Sequence, residues 1–254
     1  MRLVCFDIDG TLIHTSGAGR RAIHRALIEV LGTAGPIDTF RFDGRTDGEI
    51  VIRLAEAAGL APDEALIGQV IARYVDHLQG ELASPTHATR VFPGVREVLD
   101  ALEPRDDVVI GLLTGNVVDG AHLKLRSAGL DPARFRVGAF GTDSHVRAEL
   151  PAVAQQRAAA LLGRELAGVD VVIIGDTPAD VQCGRGIGAR GIGVGTAAYT
   201  VDELMSAGAH LILHFFVGRL PAGFYWLYAC WAGFYIIGTL INLFGKPNEP
   251  HHHH

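Results

Sequence analysis

Val108-Val109-Ile110-Gly111-Leu112-Leu113 is apolar at every position, and Val169–Ile174 repeats the pattern apart from Asp170. A strand with one wet face alternates apolar and polar residues, whereas a run without alternation has to be covered on both faces. Leu3-Val4-Cys5-Phe6, Gly191-Ile192-Gly193-Val194 and His210-Leu211-Ile212-Leu213 read as further runs of this kind. Longer stretches of helical periodicity separate them, which predicts an α/β architecture with a parallel sheet wrapped by helices. The polar residues gather where the runs end, as Asp7-Ile8-Asp9-Gly10-Thr11, Thr114-Gly115-Asn116 and Gly175-Asp176-Thr177-Pro178. In an open α/β sheet that carboxyl edge is where ligands bind.

Between the first run and Val108 lie about 90 residues without a convincing strand, too long for a simple crossover. Arg20–Leu31, Asp47–Ala58 and Pro62–Leu82 carry helical periodicity, with breaks at Gly32–Pro36 and Gly59–Pro62. The segment reads as an inserted helical domain over 15–88, between core segments 1–14 and 89–214, with Phe92-Pro93-Gly94 marking the return. Gly186-Ile187-Gly188-Ala189-Arg190-Gly191 matches G-x-G-x-x-G, but it precedes a strand and follows a helix, the reverse of a dinucleotide fingerprint. It reads as a helix end and turn.

Composition narrows the function classes. Basic residues number 22 against 28 acidic ones, a net charge of −6 with no dense basic run, which argues against sequence-independent nucleic-acid binding. Cys5, Cys183 and Cys230 have no short spacing, so neither a disulfide framework nor a zinc knuckle is expected, and a cytoplasmic catalytic domain is. Asp7 and Asp9 interrupt the first apolar run too early for a secretory signal.

Two carboxylates two residues apart repel each other and call for a cation. Asp176 and Asp180 follow another strand, so the parallel topology brings three or four carboxylates into one crevice. An oxygen-only set suits Mg²⁺ rather than zinc, and Mg²⁺ usually contacts substrate phosphate. Thr114, with the backbone amides of Gly115 and Asn116, can hold phosphate oxygens at a helix start.

Asp7-x-Asp9-Gly10-Thr11, Thr114 after an apolar strand, a downstream basic residue and Gly175-Asp176-x-x-x-Asp180 together resemble the four ordered motifs of the haloacid dehalogenase superfamily. The resemblance covers roughly residues 1 to 214, and phosphoglycolate-phosphatase-like members are the most similar. It implies a Rossmann-like core, a C1-type helical cap and phosphoester chemistry. Asp7 would be the nucleophile and Asp9 the acid and base. Asp7, Asp176 and the Asp9 backbone carbonyl would hold Mg²⁺, with Asp180 orienting or coordinating indirectly. Dehalogenases lack an equivalent of Asp9, so phosphate transfer is expected instead. The family often places the third-motif Lys in a Lys-Pro-x-Pro setting that this chain lacks. Arg147 occupies the place, with Lys124, the only Lys before residue 215, as its rival, and the preferred reading of Lys124 is a solvated helix residue. Arg45 is a candidate to reach substrate from the cap, with a surface ion pair as its alternative. His14, His24, His122 and His145 share no metal spacing and read as surface or packing residues, and Asp106-Asp107 as a solvated turn.

Ten of the 18 aromatic residues fall between Phe215 and Phe244, and Leu220–Gly245 is uncharged. As a C-terminal hydrophobic helix the stretch is long enough to cross a bilayer, which predicts membrane contact through 220–245. A buried oligomer contact or a non-native segment are the alternatives, and His251–His254 reads as a tag within 247–254. The expected activity is Mg²⁺-dependent hydrolysis of a small phosphorylated metabolite through an aspartyl phosphate. A phosphomutase of the same superfamily or a membrane-tethered non-catalytic module are the competing readings; oligomeric state is open.

Overall fold

The computed structural model describes residues 1–195 and 198–214. Its centre is a six-stranded parallel sheet of β1 (Arg2–Phe6), β4 (Val108–Leu113), β5 (Val137–Ala139), β6 (Val171–Gly175), β7 (Arg190–Gly195) and β8 (Leu211–His214), in the order β5-β4-β1-β6-β7-β8. β1 lies between β4 and β6, with Leu3 opposite Val109 on one side and Val171 on the other. Four of the five expected runs thus become strands nearly as read, the one at Val169 begins two residues later, and the edge strand β5 was not foreseen. Three residues at a sheet edge carry too little pattern to be distinguished from a loop.

The absence of alternation is explained by helices on both faces. Val4, Phe6, Ile110, Leu112, Val172 and Ile174 point to one layer, where they meet Val98 and Leu99 of α4 (Val95–Leu102) and Leu125 of α5 (Val118–Ser127). Leu3, Cys5, Val109, Leu113, Val171 and Ile173 point to the other, against Leu150, Ala154 and Ala158 of α6 (Leu150–Leu162). Burying a side chain of this size stabilises the fold by about 1.5–3 kcal/mol each, which ties strand pattern to layer order.

Three helices, α1 (Ala18–Leu31), α2 (Asp47–Ala57) and α3 (Glu64–Leu82), form a separate core over the sheet's carboxyl edge. Ala18, Ala22, Ile23, Ala26 and Leu27 make one stripe of α1 that packs on Val70, Tyr74 and Leu78 of α3. Thr46 caps α2 by accepting the Glu49 amide at 3.1 Å, and Asp63 caps α3 by accepting that of Leu66 at 2.8 Å. The chain enters and leaves this unit through a feature the sequence did not reveal, a two-stranded antiparallel ribbon of β2 (Ile13–His14) and β3 (Arg90–Val91). Strands of two residues have no period to detect. Gly94, at φ +84°, then starts α4.

Gly188 (φ +73°) ends a 3-10 turn, Cys183–Ile187, before β7, so the G-x-G-x-x-G stretch is a helix end and turn. Past β6, α7 (Pro178–Gln182) and α8 (Val201–Ser206) complete the described α-helices, and Arg147 opens a short 3-10 helix, Arg147–Glu149, ahead of α6. Among the described residues no helix is long and apolar enough to cross a membrane. The hydrophobic stretch at 220–245 and the terminal histidines lie outside the described residues.

Candidate active site

The loops after β1, β4 and β6 open into a cavity of about 530 Å³ between the sheet edge and the helical unit. Asp7, Asp9, Thr114, Gly115, Asn116, Arg147, Asp176 and, from the helical unit, Arg45 all line it. This convergence follows from the topology: β1 sits between β4 and β6, so the residues just past their ends are neighbours.

Asp7 continues β1, its amide donating to Ile174 O at 2.9 Å. Its carboxylate, with those of Asp176 and Asp180, forms a buried cluster whose oxygens lie within 4.8 Å of one another. Arg147 Nη2 is 3.4 Å from Asp7 Oδ1 and is ion-paired with Asp180 Oδ1. Burial, then the Asp180 charge, push the Asp7 carboxyl up to about 7 against the pull of Arg147, with Asp9 adding to the rise. Burial, then Asp180 and Asp7, push Asp176 well above the carboxylate range. Three buried carboxylates facing one guanidinium make a hard, anionic oxygen set, which fits a divalent cation of the Mg²⁺ type.

Local sequence builds this cluster. Thr177 donates its amide and hydroxyl to Asp180 Oδ2 at 3.0 and 2.9 Å and accepts the Asp180 amide at 3.1 Å, a capping box at the start of α7. Thr11 Oγ1 donates to Asp176 Oδ1 at 3.2 Å. Gly10 adopts φ +78°, and a Cβ there would lie 2.1 Å from Asp176 Oδ2, so the turn requires glycine.

Asp9 faces other partners. Its Oδ2 accepts from Lys124 Nζ at 2.9 Å and Asn116 Nδ2 at 2.8 Å. Enclosure pushes its carboxyl up, but Lys124 and Asn116 outweigh that and hold it below its usual value. Lys124 also donates to Asn116 Oδ1 at 2.7 Å and is only 5% exposed. This corrects the reading of Lys124 as a solvated helix residue. Its helix turns the Nζ inward, beneath Gly19 and Tyr74 of the helical unit, and burial of the ammonium is outweighed chiefly by the Asp9 charge, with Tyr74 and Asp47 adding to it. The available signal was its singularity in a region whose other cations are all arginine.

The β4 loop also differs from expectation. Thr114 is fully buried, and its Oγ1 accepts the Asn116 amide at 3.1 Å and Asn116 Nδ2 at 2.7 Å. The amides of Val117 and Val118 at the head of α5 are taken by Asp47 Oδ2 and Thr142 Oγ1, each at 2.9 Å. The amide of Asn116 is therefore committed internally rather than offered to a phosphate, whereas the Thr114 hydroxyl hydrogen and the Gly115 amide remain as donors among the described residues. Gly115 allows the helical unit to touch the core: its carbonyl accepts the Asp47 amide at 2.8 Å, and a Cβ would lie 2.2 Å from Arg45 O. Asp47 is a further site residue that sequence reading missed, its carboxyl pushed up to about 6 chiefly by burial.

Arg45 Nη1 donates to Glu49 Oε1 at 2.7 Å and its guanidinium lies over the Phe40 ring, so it borders the cavity while carrying the ion pair weighed as its alternative. His14 lines the rim, and His145 packs under Gly48 with Nε2 3.1 Å from Glu64. Asp143 accepts from Arg157, and Asp107 pairs with Arg105 in its turn.

The haloacid dehalogenase-like hydrolase family model matches residues 1–188. A phosphoglycolate phosphatase of Pseudomonas putida is 28% identical over 204 residues, spanning 76% of this chain and 69% of that protein. A hydrolase from Pseudomonas syringae superposes with a TM-score of 0.66 at 20% identity, covering 84% of this chain and 94% of its own. A CbbY mutant from Rhodobacter sphaeroides, solved with xylulose-(1,5)bisphosphate, superposes at 0.64 with 19% identity and the same coverage. At such identities the two structures speak for the fold, while the family match spans most of the chain. The chain belongs to the haloacid dehalogenase-like hydrolases and is a phosphatase of that superfamily, similar to the phosphoglycolate phosphatases.

Proposed function

We propose that this chain is a Mg²⁺-dependent phosphomonoester hydrolase that acts on a small phosphorylated metabolite through an aspartyl phosphate on Asp7. The observation that carries the reading is the separation of Asp7 and Asp9, two residues apart, into distinct surroundings: one among carboxylates and Arg147, the other under Lys124 and Asn116. Groups whose surroundings differ in this way take different roles in proton and phosphoryl transfer.

An Asp7 oxygen attacks phosphorus, forming an acyl phosphate as the ester P–O bond breaks. Asp9, a carboxylate in the free protein, gives the departing alkoxide a proton taken up as the substrate phosphate binds, then takes one from the water that attacks the acyl phosphate, restoring both carboxyl groups and releasing inorganic phosphate. Arg147 lies 3.4 Å from Asp7 Oδ1 and offsets negative charge on that side, and the Thr114 hydroxyl donates to a phosphoryl oxygen. Asp7, Asp176 and the Asp9 backbone carbonyl would hold Mg²⁺, with Asp180, whose oxygens are taken by Arg147 and Thr177, orienting that set; the ion when bound would neutralise charge on the transferring phosphoryl group. The cavity, about 530 Å³, suits a small ligand with the helical unit as its roof. The Pseudomonas putida relative is named for phosphoglycolate and the CbbY mutant holds a sugar bisphosphate, which supports a short phosphorylated carboxylate or sugar as the substrate class.

The test is phosphate release from a panel of small phosphomonoesters, with Mg²⁺ and with EDTA, beside Asp7→Asn. Turnover that needs Mg²⁺ and falls by on the order of 10⁴-fold or more in Asp7→Asn is expected. A folded, Mg²⁺-loaded protein that releases phosphate from no ester overturns the reading.

A further inference from the structure

We propose that Lys124 is a positioning residue for proton transfer: together with Asn116 it occupies Oδ2 of Asp9, so that the proton Asp9 exchanges rides on Oδ1. The inference rests on the phosphatase reading above and adds a role that the four motifs do not contain.

Three side chains close a ring. Lys124 Nζ donates to Asp9 Oδ2 at 2.9 Å and to Asn116 Oδ1 at 2.7 Å, and Asn116 Nδ2 donates to the same Asp9 Oδ2 at 2.8 Å. Asn116 is itself held by Thr114 Oγ1 at 2.7 Å, and both it and Lys124 are about 5% exposed. An oxygen that accepts two N–H donors has no room for its own hydrogen, because O–H would then face N–H. The exchangeable proton is thereby confined to Oδ1, on a side chain that is 44% exposed and lines the cavity. This places the proton on one oxygen, which is what transfer to a leaving group within hydrogen-bond reach requires.

Lys124 does not share the task of Arg147. Arg147 contacts Asp7 and Asp180 on one side of the crevice, and Lys124 contacts Asp9 on the other. The ammonium also lies under the helical unit, with the Gly19 Cβ position 3.3 Å from Nζ and Tyr74, 1% exposed, beside it. The helical unit and Asp9 therefore both touch this one side chain.

Leaving-group dependence separates this role from a structural one. para-Nitrophenolate departs without a proton, whereas an alkoxide needs the one from Asp9, and kcat/KM reports the steps through P–O cleavage. Lys124→Met is expected to lower kcat/KM by about 10²-fold on the best alkyl phosphate of the panel and by at least about tenfold less on para-nitrophenyl phosphate. Equal losses on the two esters overturn the assignment. If circular dichroism shows that Lys124→Met does not fold, Lys124→Arg carries the same comparison, since its planar fork keeps the charge but not the two-acceptor geometry. Equal losses in that variant overturn it as well. Wild-type protein inactive on both esters would defeat the phosphatase reading itself, whereas active wild type with ester-independent losses defeats only the role of Lys124.

Discussion

The sheet edge and the underside of the helical unit both bring charged groups to the cavity, but they treat those groups differently. On the sheet side, Asp7, Asp176 and Asp180 crowd together in burial with one guanidinium among them, and the Asp7 and Asp176 carboxyls are pushed up as a result. On the helical side, Arg45 pairs with Glu49, and Arg20 donates to the carbonyls of Ile37 and Phe40 at 2.6 and 2.9 Å. The sheet side crowds like charges around a single cation, whereas the two arginines of the helical side are matched by atoms of their own unit. A site that binds ligand charge strongly is one whose own charges are poorly balanced without it.

That contrast can be broken most forcefully at Arg147. Removing one partner of a buried ion pair leaves an uncompensated charge, so Arg147→Met in EDTA should lose about 3–5 kcal/mol of stability by denaturant titration. Added Mg²⁺ should restore part of the loss; an unchanged midpoint would mean that the carboxylates are not held in common.

A smaller effect is expected from pH. In metal-free protein the Asp7 and Asp47 carboxyls stand at about 7 and about 6, and Asp176 is also raised, whereas unfolded aspartates titrate near about 4. Between those limits the folded state holds more protons than the unfolded one. This stability is present at the acid end and is lost as pH rises toward about 7. Thermal melts in EDTA should show the midpoint falling over that window, and Asp7→Asn should flatten the fall. An identical profile in the variant would remove Asp7 from the crowded set.

The smallest effect should come from Arg45→Ala. Its half-buried i,i+4 pair with Glu49 is worth roughly 0.3–0.5 kcal/mol, so stability should barely move. KM for an anionic substrate should rise with kcat little changed, which steady-state kinetics on the panel can read. A drop in kcat alone would place Arg45 nearer the chemistry than its contact with Glu49 suggests.

Much of the fold was legible because burial on two faces leaves a mark on local sequence. Val108–Leu113 cannot be a surface strand, and polar loops at the ends of such runs had to meet at one edge once the sheet was parallel. Asp7, Asp9, Thr114, Asp176 and Asp180 all lie within a few residues of a strand end, which is why they could be found. The ribbon at Ile13–His14 and Arg90–Val91 and the edge strand Val137–Ala139 were hidden because two or three residues hold no period.

What the chain determined by itself is therefore the layer order and the acidic character of the crevice, since both follow from hydrophobic pattern and from which residues terminate it. Only the tertiary structure decided how the two cations divide the carboxylates. Lys124 is eight positions beyond Asn116 and over a hundred beyond Asp9, and a lone lysine on a helix looks solvated until the helix is rotated into place. Asp47 and Tyr74 became part of the site in the same way, through docking of the helical unit onto Gly115. Such pairings depend on distances across the fold, and a residue's neighbours in space leave no trace in its neighbours along the chain.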